Sequence, residues 1–206
     1  MNYLGHLLLT EPTREGLLGA ILGDFVKGPL VGKHDARVER AIALHRAVDT
    51  FTDNHPAVRQ CMDFISPLRR RYAGILIDIF FDHFLVWHWH RYASEPLDAL
   101  VDKTYHLLSS EQHWFPDRLR AIARRIVEQD WLRSYGDRDA VDRTLRRMST
   151  RHTRRDAMGG RHRSLAEGII DLDTCRAQLE AGFHRFLPDA IAYARLEIHE
   201  TRGRPI

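Results

Sequence analysis

Carboxylate and imidazole side chains recur at helical spacing in the first half of the sequence. His45 and Asp49 are four residues apart. Asp78 and Asp82 repeat this spacing, and His83 follows directly. Residues four apart lie on one face of an α-helix, with Cβ atoms about 5 to 6 Å apart. The joint occurrence of the two pairs favours a metal site over isolated polar residues.

The sequence around these residues is strongly apolar. The segment ILIDIFFDHFLVWHWH, residues 75–90, carries the second pair, Asp24 ends the segment GLLGAILGDF, and His6 lies between leucines. An ionised carboxylate is unfavourable in an apolar site unless a cation, a metal or several hydrogen-bond donors compensate it. If the apolar faces converge on one core, the acids converge too. A divalent ion would then neutralise them. Because the candidate ligands are oxygens and imidazoles without a thiolate, they suit Mn²⁺, Mg²⁺, Fe²⁺ or Zn²⁺.

Each of these residues also has a structural explanation when it is taken alone. A buried histidine such as His6 is commonly a hydrogen-bonded core residue. Asp53 lies in the turn DNHP, where it fits the end of one helix or the cap of the next. Asp78 could form a buried ion pair with Arg46 or with an arginine of residues 69–71. The sequence leaves these alternatives open.

Two other histidine motifs fit helix ends. The literal His-Asp dipeptide, His34-Asp35, lies in the polar stretch VGKHDARV, where Asp35 is expected to cap a helix. His88 and His90 lie near the end of the apolar run, where a histidine interacts favourably with a helix C-terminus. We therefore do not expect His34 or Asp35 to bind a metal.

Helical periodicity runs through the whole sequence. No stretch shows the period-two alternation of a β-strand between hairpin turns. With 206 residues, 44% of them hydrophobic and 29% charged, the chain predicts a single compact all-α domain over residues 1–206. We expect about eight helices, with a break near residues 156–164, where the pair Gly159-Gly160 stops a helix.

The composition and the N-terminal residues argue against several other classes. The two cysteines, Cys61 and Cys175, are far apart and form neither a disulfide framework nor a zinc motif, so a reducing, cytoplasmic location is expected. The N-terminal residues lack the basic start of a signal peptide. No uncharged apolar run reaches the roughly 20 residues of a membrane helix.

Charge is unevenly distributed along the chain. The formal net charge is +3, yet residues 118–163 contain 14 arginines, no lysine and six acidic residues, which gives +8. The remaining residues therefore sum to −5. This arginine-rich segment predicts either a surface for an acidic partner or a solvated helix face without one.

Four segments together resemble a known family. MNYLGHLLL, GDFVKG, LHRAVDTFTDNHP and DIFFDHFLVWHW occur in the order and spacing of the bacterial acyl carrier protein phosphodiesterases, and the similarity runs from Met1 to about Leu187. The resemblance implies hydrolysis of the phosphodiester that joins 4′-phosphopantetheine to a serine of acyl carrier protein. It also implies a helical, HD-domain-like fold and dependence on Mn²⁺, with Mg²⁺ or another divalent ion as the alternative. The order of acids and histidines departs from the usual HD pattern.

The resemblance implies roles for the site residues. The metal ligands would be led by His45, Asp49, Asp82 and His83, with Asp24 and Asp78 as further ligands or supporting residues. Asp24 is alternatively the base that orients the attacking water. Arg46 would stabilise charge on the phosphoryl group. A proton for the leaving serine oxygen would come from His6, His83 or a water.

The expected partner is the acidic acyl carrier protein, docked on the arginine-rich segment 118–163 and on residues 69–71. No nucleic acid is expected, because aromatic residues are not interleaved with the arginines. No membrane is expected either, because the longest apolar run carries charges. Two other functions fit the sequence. One is an HD-like metal phosphohydrolase acting on nucleotides, and the other is a non-catalytic basic helical binding module.

Overall fold

The computed structural model of this chain describes residues 1–30, 32–153 and 163–201. Over these residues the fold is all-α, with no β-strand. The helices are α1 (Tyr3–Leu9), α2 (Arg14–Leu22), α3 (Ala36–Asn54), α4 (Pro56–Phe64), α5 (Ala73–Tyr92), α6 (Leu97–Ser110), α7 (Asp117–Glu128), α8 (Trp131–Ser134), α9 (Arg138–Thr153), α10 (Arg163–Ala166) and α11 (Ile169–Thr201). Two 3₁₀ segments, Pro67–Tyr72 and Gln112–Trp114, precede α5 and α7.

The predicted all-α class is confirmed. Within the described residues, eight helices have nine or more residues, and α1, α8 and α10 are additional short helices of seven, four and four residues. Segments this short carry too few periodic positions to be recognised in the sequence. Most of the predicted break near residues 156–164 lies outside the described residues.

Helix α5 lies in the middle of the core. It contacts α1, α4, α9 and α11, and from Leu76 to Leu85 most of its side chains are buried, whichever face of the helix they lie on. Phe81 packs on Phe183 and Phe186 of α11, with ring centroids 5.6 and 5.5 Å apart. Burying one such phenylalanine contributes about 1.5–3 kcal/mol. A polar side chain in this buried part of α5, such as Asp82, must therefore find a partner inside the protein.

Helices α2 and α3 approach each other closely. A Cβ on Gly19 would lie only 2.3 Å from the Cβ of Ala41, so glycine is required where the two helices touch. Thr13 caps the start of α2 by accepting a hydrogen bond from the amide of Gly16 at 3.1 Å. The close contact brings the end of α2 beside the middle of α3.

Helix α11 continues through Pro188 to Thr201, and it bends at Cys175, where φ is −113° and ψ is 20°. The buried residues Leu187, Ala190 and Ala194 keep the segment around the proline packed on the core. None of the described helices is both long and apolar enough to cross a membrane.

Candidate active site

Helices α1 and α3 and the end of α2 bring four side chains together. Nε2 of His45 lies 3.3 Å from Oδ2 of Asp49 and 3.6 Å from Oδ1 of Asp24. Nε2 of His6 lies 3.1 Å from Oδ1 of Asp49. We call His6, Asp24, His45 and Asp49 the His-Asp cluster. Both imidazoles are buried and both carboxylates are nearly half exposed, so the cluster opens to solvent on its acidic side.

The backbone of α2 orients His45. Nδ1 of His45 lies 2.8 Å from the carbonyl oxygen of Ala20, so that Nδ1–H donates to this carbonyl and Nε2 faces the carboxylates. Gly23 makes room for the ring, since a Cβ there would lie 2.2 Å from Cγ of His45. Metal-binding histidines usually donate their second ring N–H to a backbone carbonyl or a carboxylate in this way.

His6 stacks on His45, with ring centroids 3.7 Å apart and planes 15° apart. Its Nε2 is 3.0 Å from the carbonyl oxygen of Met1, and its Nδ1 is buried without a hydrogen-bond partner in the described part of the chain. Burial lowers the pKa of His6 to about 4, so the ring is neutral at neutral pH. A neutral imidazole binds a metal, but the N–H that it keeps is too weakly acidic to protonate a leaving group. The predicted role of His6 as a proton donor is therefore not supported.

The carboxylates of the His-Asp cluster need a compensating positive charge. Burial opposes protonation of His45, but the hydrogen bonds and charges of Asp24 and Asp49 raise its pKa to about 9. Burial likewise opposes ionisation of both acids, but the contact with His45 lowers the pKa of Asp24 and of Asp49. Without a metal ion, a proton on His45 thus supplies the positive charge. A divalent ion would compete with this proton for Nε2 of His45.

The donor atoms of the cluster fit a divalent metal ion. One ligand atom from each of His6, His45 and Asp49 lies within 4.8 Å of the other two. Two imidazole nitrogens with a carboxylate oxygen suit Mn²⁺, Fe²⁺ or Zn²⁺. The orientation of His45 and the unpartnered Nδ1 of His6 are consistent with such an ion. Asp24 adds a further oxygen on the exposed side.

Other charged groups surround the cluster. The Met1 amine lies 3.0 Å from Oδ1 of Asp78 and 3.7 Å from Oδ1 of Asp49. Burial and the neighbouring Asp78 carboxylate raise the pKa of Asp53, which places Asp53 in the same acidic group. The sequence favoured a cap role for Asp53, but His55 caps α4 through Nδ1. The four-residue spacing between Asp49 and Asp53 on α3 is the sequence feature that indicates this location, because residues four apart lie on one face of a helix.

Asp82, expected as a metal ligand, contacts backbone amides instead. Its Oδ2 accepts a hydrogen bond from the amide of Leu4 at 2.8 Å, and its Oδ1 accepts one from the amide of Gly5 at 3.0 Å. These amides belong to the first turn of α1, whose N-cap residue Asn2 makes no side-chain cap. Complete burial raises the pKa of Asp82 to about 7, against the effect of the two hydrogen bonds. Asp82 therefore anchors α1, the helix that carries His6.

His83, also expected as a ligand, faces away from the His-Asp cluster. Its Nδ1 lies 2.7 Å from the carbonyl oxygen of Tyr135, and its ring lies 4.4 Å from that of Trp87. The structure therefore places neither Asp82 nor His83 among the ligand atoms of the cluster. The physical reason is that successive residues of a helix point in different directions, so Asp82 faces α1 and the adjacent His83 faces the loop before α9. Asp78, one turn earlier than Asp82, does reach the acidic group.

Arg46, expected to stabilise phosphoryl charge, holds a loop. Its Nη1 donates to the carbonyl oxygen of Gly28 at 2.9 Å, and its Nη2 donates to that of Val26 at 2.7 Å. These residues follow Asp24 directly, so Arg46 fixes the segment that carries this acid. The structure thus gives Arg46 a positioning contact in place of the predicted contact with substrate.

The three arginines at 69–71 differ in their surroundings. Arg69 is buried and forms a bidentate pair with Asp171, at 2.6 and 2.8 Å, so it is not available to a partner protein. Arg70 is exposed and pairs with Asp63 at 2.9 Å. The guanidinium of Arg71 lies 4.7 Å from the centre of the Tyr72 ring. The predicted docking role is therefore wrong for Arg69, which joins the 3₁₀ segment to α11.

A groove of roughly 320 Å³ opens beside the acidic group. Asp24 and Asp78 line it together with Ser134, Thr144 and Arg147. Its apolar walls come from α5, α7, α8 and α9: Ile75, Ile79, Ile122, Trp131 and Met148. A groove of this size holds an extended small molecule or a flexible arm.

The fold and the site define a helical protein with a buried pair of imidazoles, a cluster of carboxylates and an adjoining groove. The family model described as acyl carrier protein phosphodiesterase matches residues 1–190. The chain is 33% identical to the acyl carrier protein phosphodiesterase of Klebsiella pneumoniae (strain 342), over 94% of this chain and 97% of the relative. For the proteins of the same name from Serratia proteamaculans (strain 568) and Photorhabdus laumondii the identity is 32%, over 95% and 84% of this chain and 98% and 88% of theirs.

This chain belongs to the acyl carrier protein phosphodiesterase family. The family resemblance expected from the sequence is therefore confirmed. No solved structure matches the chain, so its kinship with the HD-domain fold stays a prediction.

Proposed function

We propose that this protein hydrolyses the phosphodiester between 4′-phosphopantetheine and the serine of holo-acyl carrier protein, releasing apo-carrier and 4′-phosphopantetheine. The observation that carries the proposal is the His-Asp cluster beside the groove, in a chain of this family. The two cysteines of the protein are free, which supports the cytoplasmic location where such a carrier would be met.

His6, His45 and Asp49 are the residues that would hold a divalent ion, with Mn²⁺ as the first choice. When bound, the ion would neutralise charge on the phosphodiester oxygens and activate water. The protein contributes the rigidity of these ligands. Ala20 fixes the ring of His45, and Asp82 fixes the helix that bears His6.

Asp24 is placed to orient the attacking water. Its carboxylate lines the groove and lies 3.6 Å from Nε2 of His45, whose contact lowers the pKa of Asp24. An ionised carboxylate at this position accepts a hydrogen bond from water and directs its lone pair toward phosphorus. Arg46 keeps Asp24 in place through the loop that follows it.

The groove fits the pantetheine arm, a flexible chain of amide groups and methylenes. The isoleucines of α5 and Trp131 offer apolar surface to the methylenes and methyl groups, while Ser134 and Thr144 offer hydrogen bonds to the amides. Arg147, at the same groove, carries a positive charge suited to the phosphate.

Helix α9 offers the most suitable surface for an acidic carrier. Much of the positive charge in segment 118–163 is used inside the chain, for example where Arg133 pairs with Asp98 at 2.6 Å. On α9, Arg143 and Arg146 are exposed, pair with the exposed Asp137 and the half-buried Asp142, and line a surface pocket together with Arg147. An exposed ion pair contributes only about 0–1 kcal/mol, so Arg143 in particular can exchange its partner for an acid of the carrier.

Removing the α9 charges is expected to weaken docking. The double variant Arg143→Gln and Arg146→Gln should lower kcat/KM for holo-carrier about tenfold at low salt, because charge complementarity raises the association rate. Steady-state kinetics at rising salt would measure this, and the difference from wild type should shrink as salt screens the charges. Arg91→Gln with Arg195→Gln is the matched control, since these arginines line a different groove. An unchanged kcat/KM at every salt concentration would remove α9 from the docking surface.

The reaction itself is tested by intact-mass analysis of holo-acyl carrier protein after incubation with the purified protein. We expect the carrier to lose the phosphopantetheine mass with Mn²⁺ and to stay intact with a chelator, until Mn²⁺ is restored. Cleavage that persists in chelator would overturn the metal requirement and leave the reaction standing. A carrier that stays intact with each divalent ion, while nucleotide phosphodiesters are cleaved, would overturn the carrier-specific function.

A further inference from the structure

A second group of imidazole and carboxylate side chains lies between α5 and α11. One ligand atom from each of His88, Glu180 and His184 lies within 4.8 Å of the other two. Nε2 of His88 is 2.5 Å from Oε1 of Glu180, and the rings of the two histidines have centroids 4.5 Å apart at 66°. All three side chains are partly buried. None of them belongs to the His-Asp cluster or to the groove.

The group arises from two pairs at helical spacing. His88 and Tyr92 are four residues apart on α5, and Glu180 and His184 are four residues apart on α11. The hydroxyl of Tyr92 lies 2.6 Å from Nδ1 of His184. When Nδ1–H of His184 donates to this hydroxyl, the hydrogen bond fixes the ring and Nε2 carries the lone pair that can meet a metal ion. Outer hydrogen bonds of this kind orient metal-binding histidines.

Arg176 lies near the carboxylate of Glu180 on the other side. Its Nε lies 3.9 Å from Oε2 of Glu180, and its guanidinium lies 4.1 Å from the centre of the Trp87 ring. One oxygen of Glu180 therefore faces the arginine, while the other faces His88. The arginine adds positive charge near the carboxylate without occupying the oxygen that contacts the imidazole.

We propose that His88, Glu180 and His184 form a second divalent-cation site, suited to Zn²⁺ and similar borderline ions. Two imidazoles and one carboxylate are a set that Zn²⁺ accepts, with a fourth position for water. Bond lengths of about 2.0–2.2 Å place tetrahedral ligand atoms about 3.3 Å apart. To reach this geometry, His88 and Glu180 would move apart from their present 2.5 Å, and the three ligand atoms, now within 4.8 Å of one another, would settle at this spacing. The ion joins α5 to the C-terminal helix α11.

Cobalt(II) is the probe for this site, because its visible absorption reports tetrahedral nitrogen and oxygen ligands. The test starts from the full chain with His45→Ala and Asp49→Asn, which removes the first site. We expect this protein to bind about one Co²⁺ per chain with a tetrahedral spectrum, and Zn²⁺ to displace the Co²⁺ and raise the thermal unfolding temperature. Adding His88→Ala or His184→Ala should abolish the binding of Co²⁺, its tetrahedral spectrum and the stabilisation by Zn²⁺. Adding His90→Ala, at an exposed histidine of α5, should leave all of these intact.

Glu180→Gln is the second, milder variant, because it keeps the volume of the side chain and is expected to weaken Co²⁺ binding at least tenfold. Circular dichroism would check that each variant is folded. The inference is overturned if the starting protein binds no Co²⁺, or if folded variants lacking His88 or His184 bind it equally well. Either result leaves the proposed hydrolysis untouched, since that depends on other residues.

Discussion

Replacing Asp49 with asparagine is expected to lower kcat/KM for release of phosphopantetheine by at least about 100-fold. Asp49 contacts His45 through one carboxylate oxygen and His6 through the other, so it joins both imidazoles. Loss of a residue that only supports a metal ligand typically costs 10–100-fold in affinity or activity, and a direct ligand should cost no less. Asparagine keeps the size of the side chain but removes its charge. The affinity for Mn²⁺, measured by titration, should fall together with kcat/KM.

Asp35→Asn is the matched control for this prediction. Asp35 lies just before the same helix, α3, in the literal His-Asp dipeptide. Its Oδ1 accepts a hydrogen bond from the amide of Arg37 at 2.8 Å. Asparagine caps helices as well as aspartate does, so the control should keep its fold and its activity. If Asp49→Asn stays folded and its kcat/KM is within a few-fold of wild type, the His-Asp cluster is not the catalytic centre.

Replacing Asp82 with alanine is expected to lower the free energy of unfolding by about 2–6 kcal/mol. The change leaves the buried amides of Leu4 and Gly5 without acceptors, and each unsatisfied buried donor costs about 1–3 kcal/mol. Urea unfolding followed by circular dichroism would measure the loss. The same variant should bind Mn²⁺ more weakly even when it is folded, because α1 carries His6.

Two further variants serve as comparisons for the loss of stability in Asp82→Ala. Asp82→Asn keeps one acceptor oxygen and the volume of the side chain, so its loss of stability should be smaller than that of Asp82→Ala. His90→Ala, at an exposed position of the same helix, should change stability by no more than about 0.5 kcal/mol. A stability of Asp82→Ala equal to that of wild type would show that α1 is held by its apolar contacts and not by this carboxylate.

The fold class could be predicted from the sequence because helical periodicity is a local property. Apolar residues on one face mark helices such as α3 and α7 without knowledge of their partners. The path after Pro188 could not be predicted. Proline lacks the N–H that continues a helix, and only the packing of residues around it, such as Leu187 and Ala190, keeps α11 intact.

Part of the site could be predicted for the same reason. The spacing of His45 and Asp49 lies within one helix, and the structure brings these two side chains together. The partners of Asp82 and His83 could not be predicted, because they are backbone groups far away in the sequence. A buried carboxylate signals that compensation exists, but the sequence does not say whether a metal or an amide provides it.

The place of His6 in the His-Asp cluster could not be predicted from its neighbours in the sequence either. Taken alone, a histidine between leucines is more often a core residue, and only tertiary contacts reveal its stacking on His45. The arginines show a further limit. Counting charges finds the basic segment, but whether an arginine is exposed, like Arg143, or buried in an ion pair, like Arg69, depends on distant acids.

The anchoring of α1 by Asp82 sets an order for assembly of the site during synthesis of the chain. A helix of seven residues is too short to be stable alone in water. Its amides meet their acceptor 77 and 78 residues later in the sequence. His6 therefore leaves the ribosome early but is held beside His45 only after α5 has emerged. Although all four residues of the His-Asp cluster lie in the first quarter of the chain, a nascent protein that stops before Asp82 lacks the completed site.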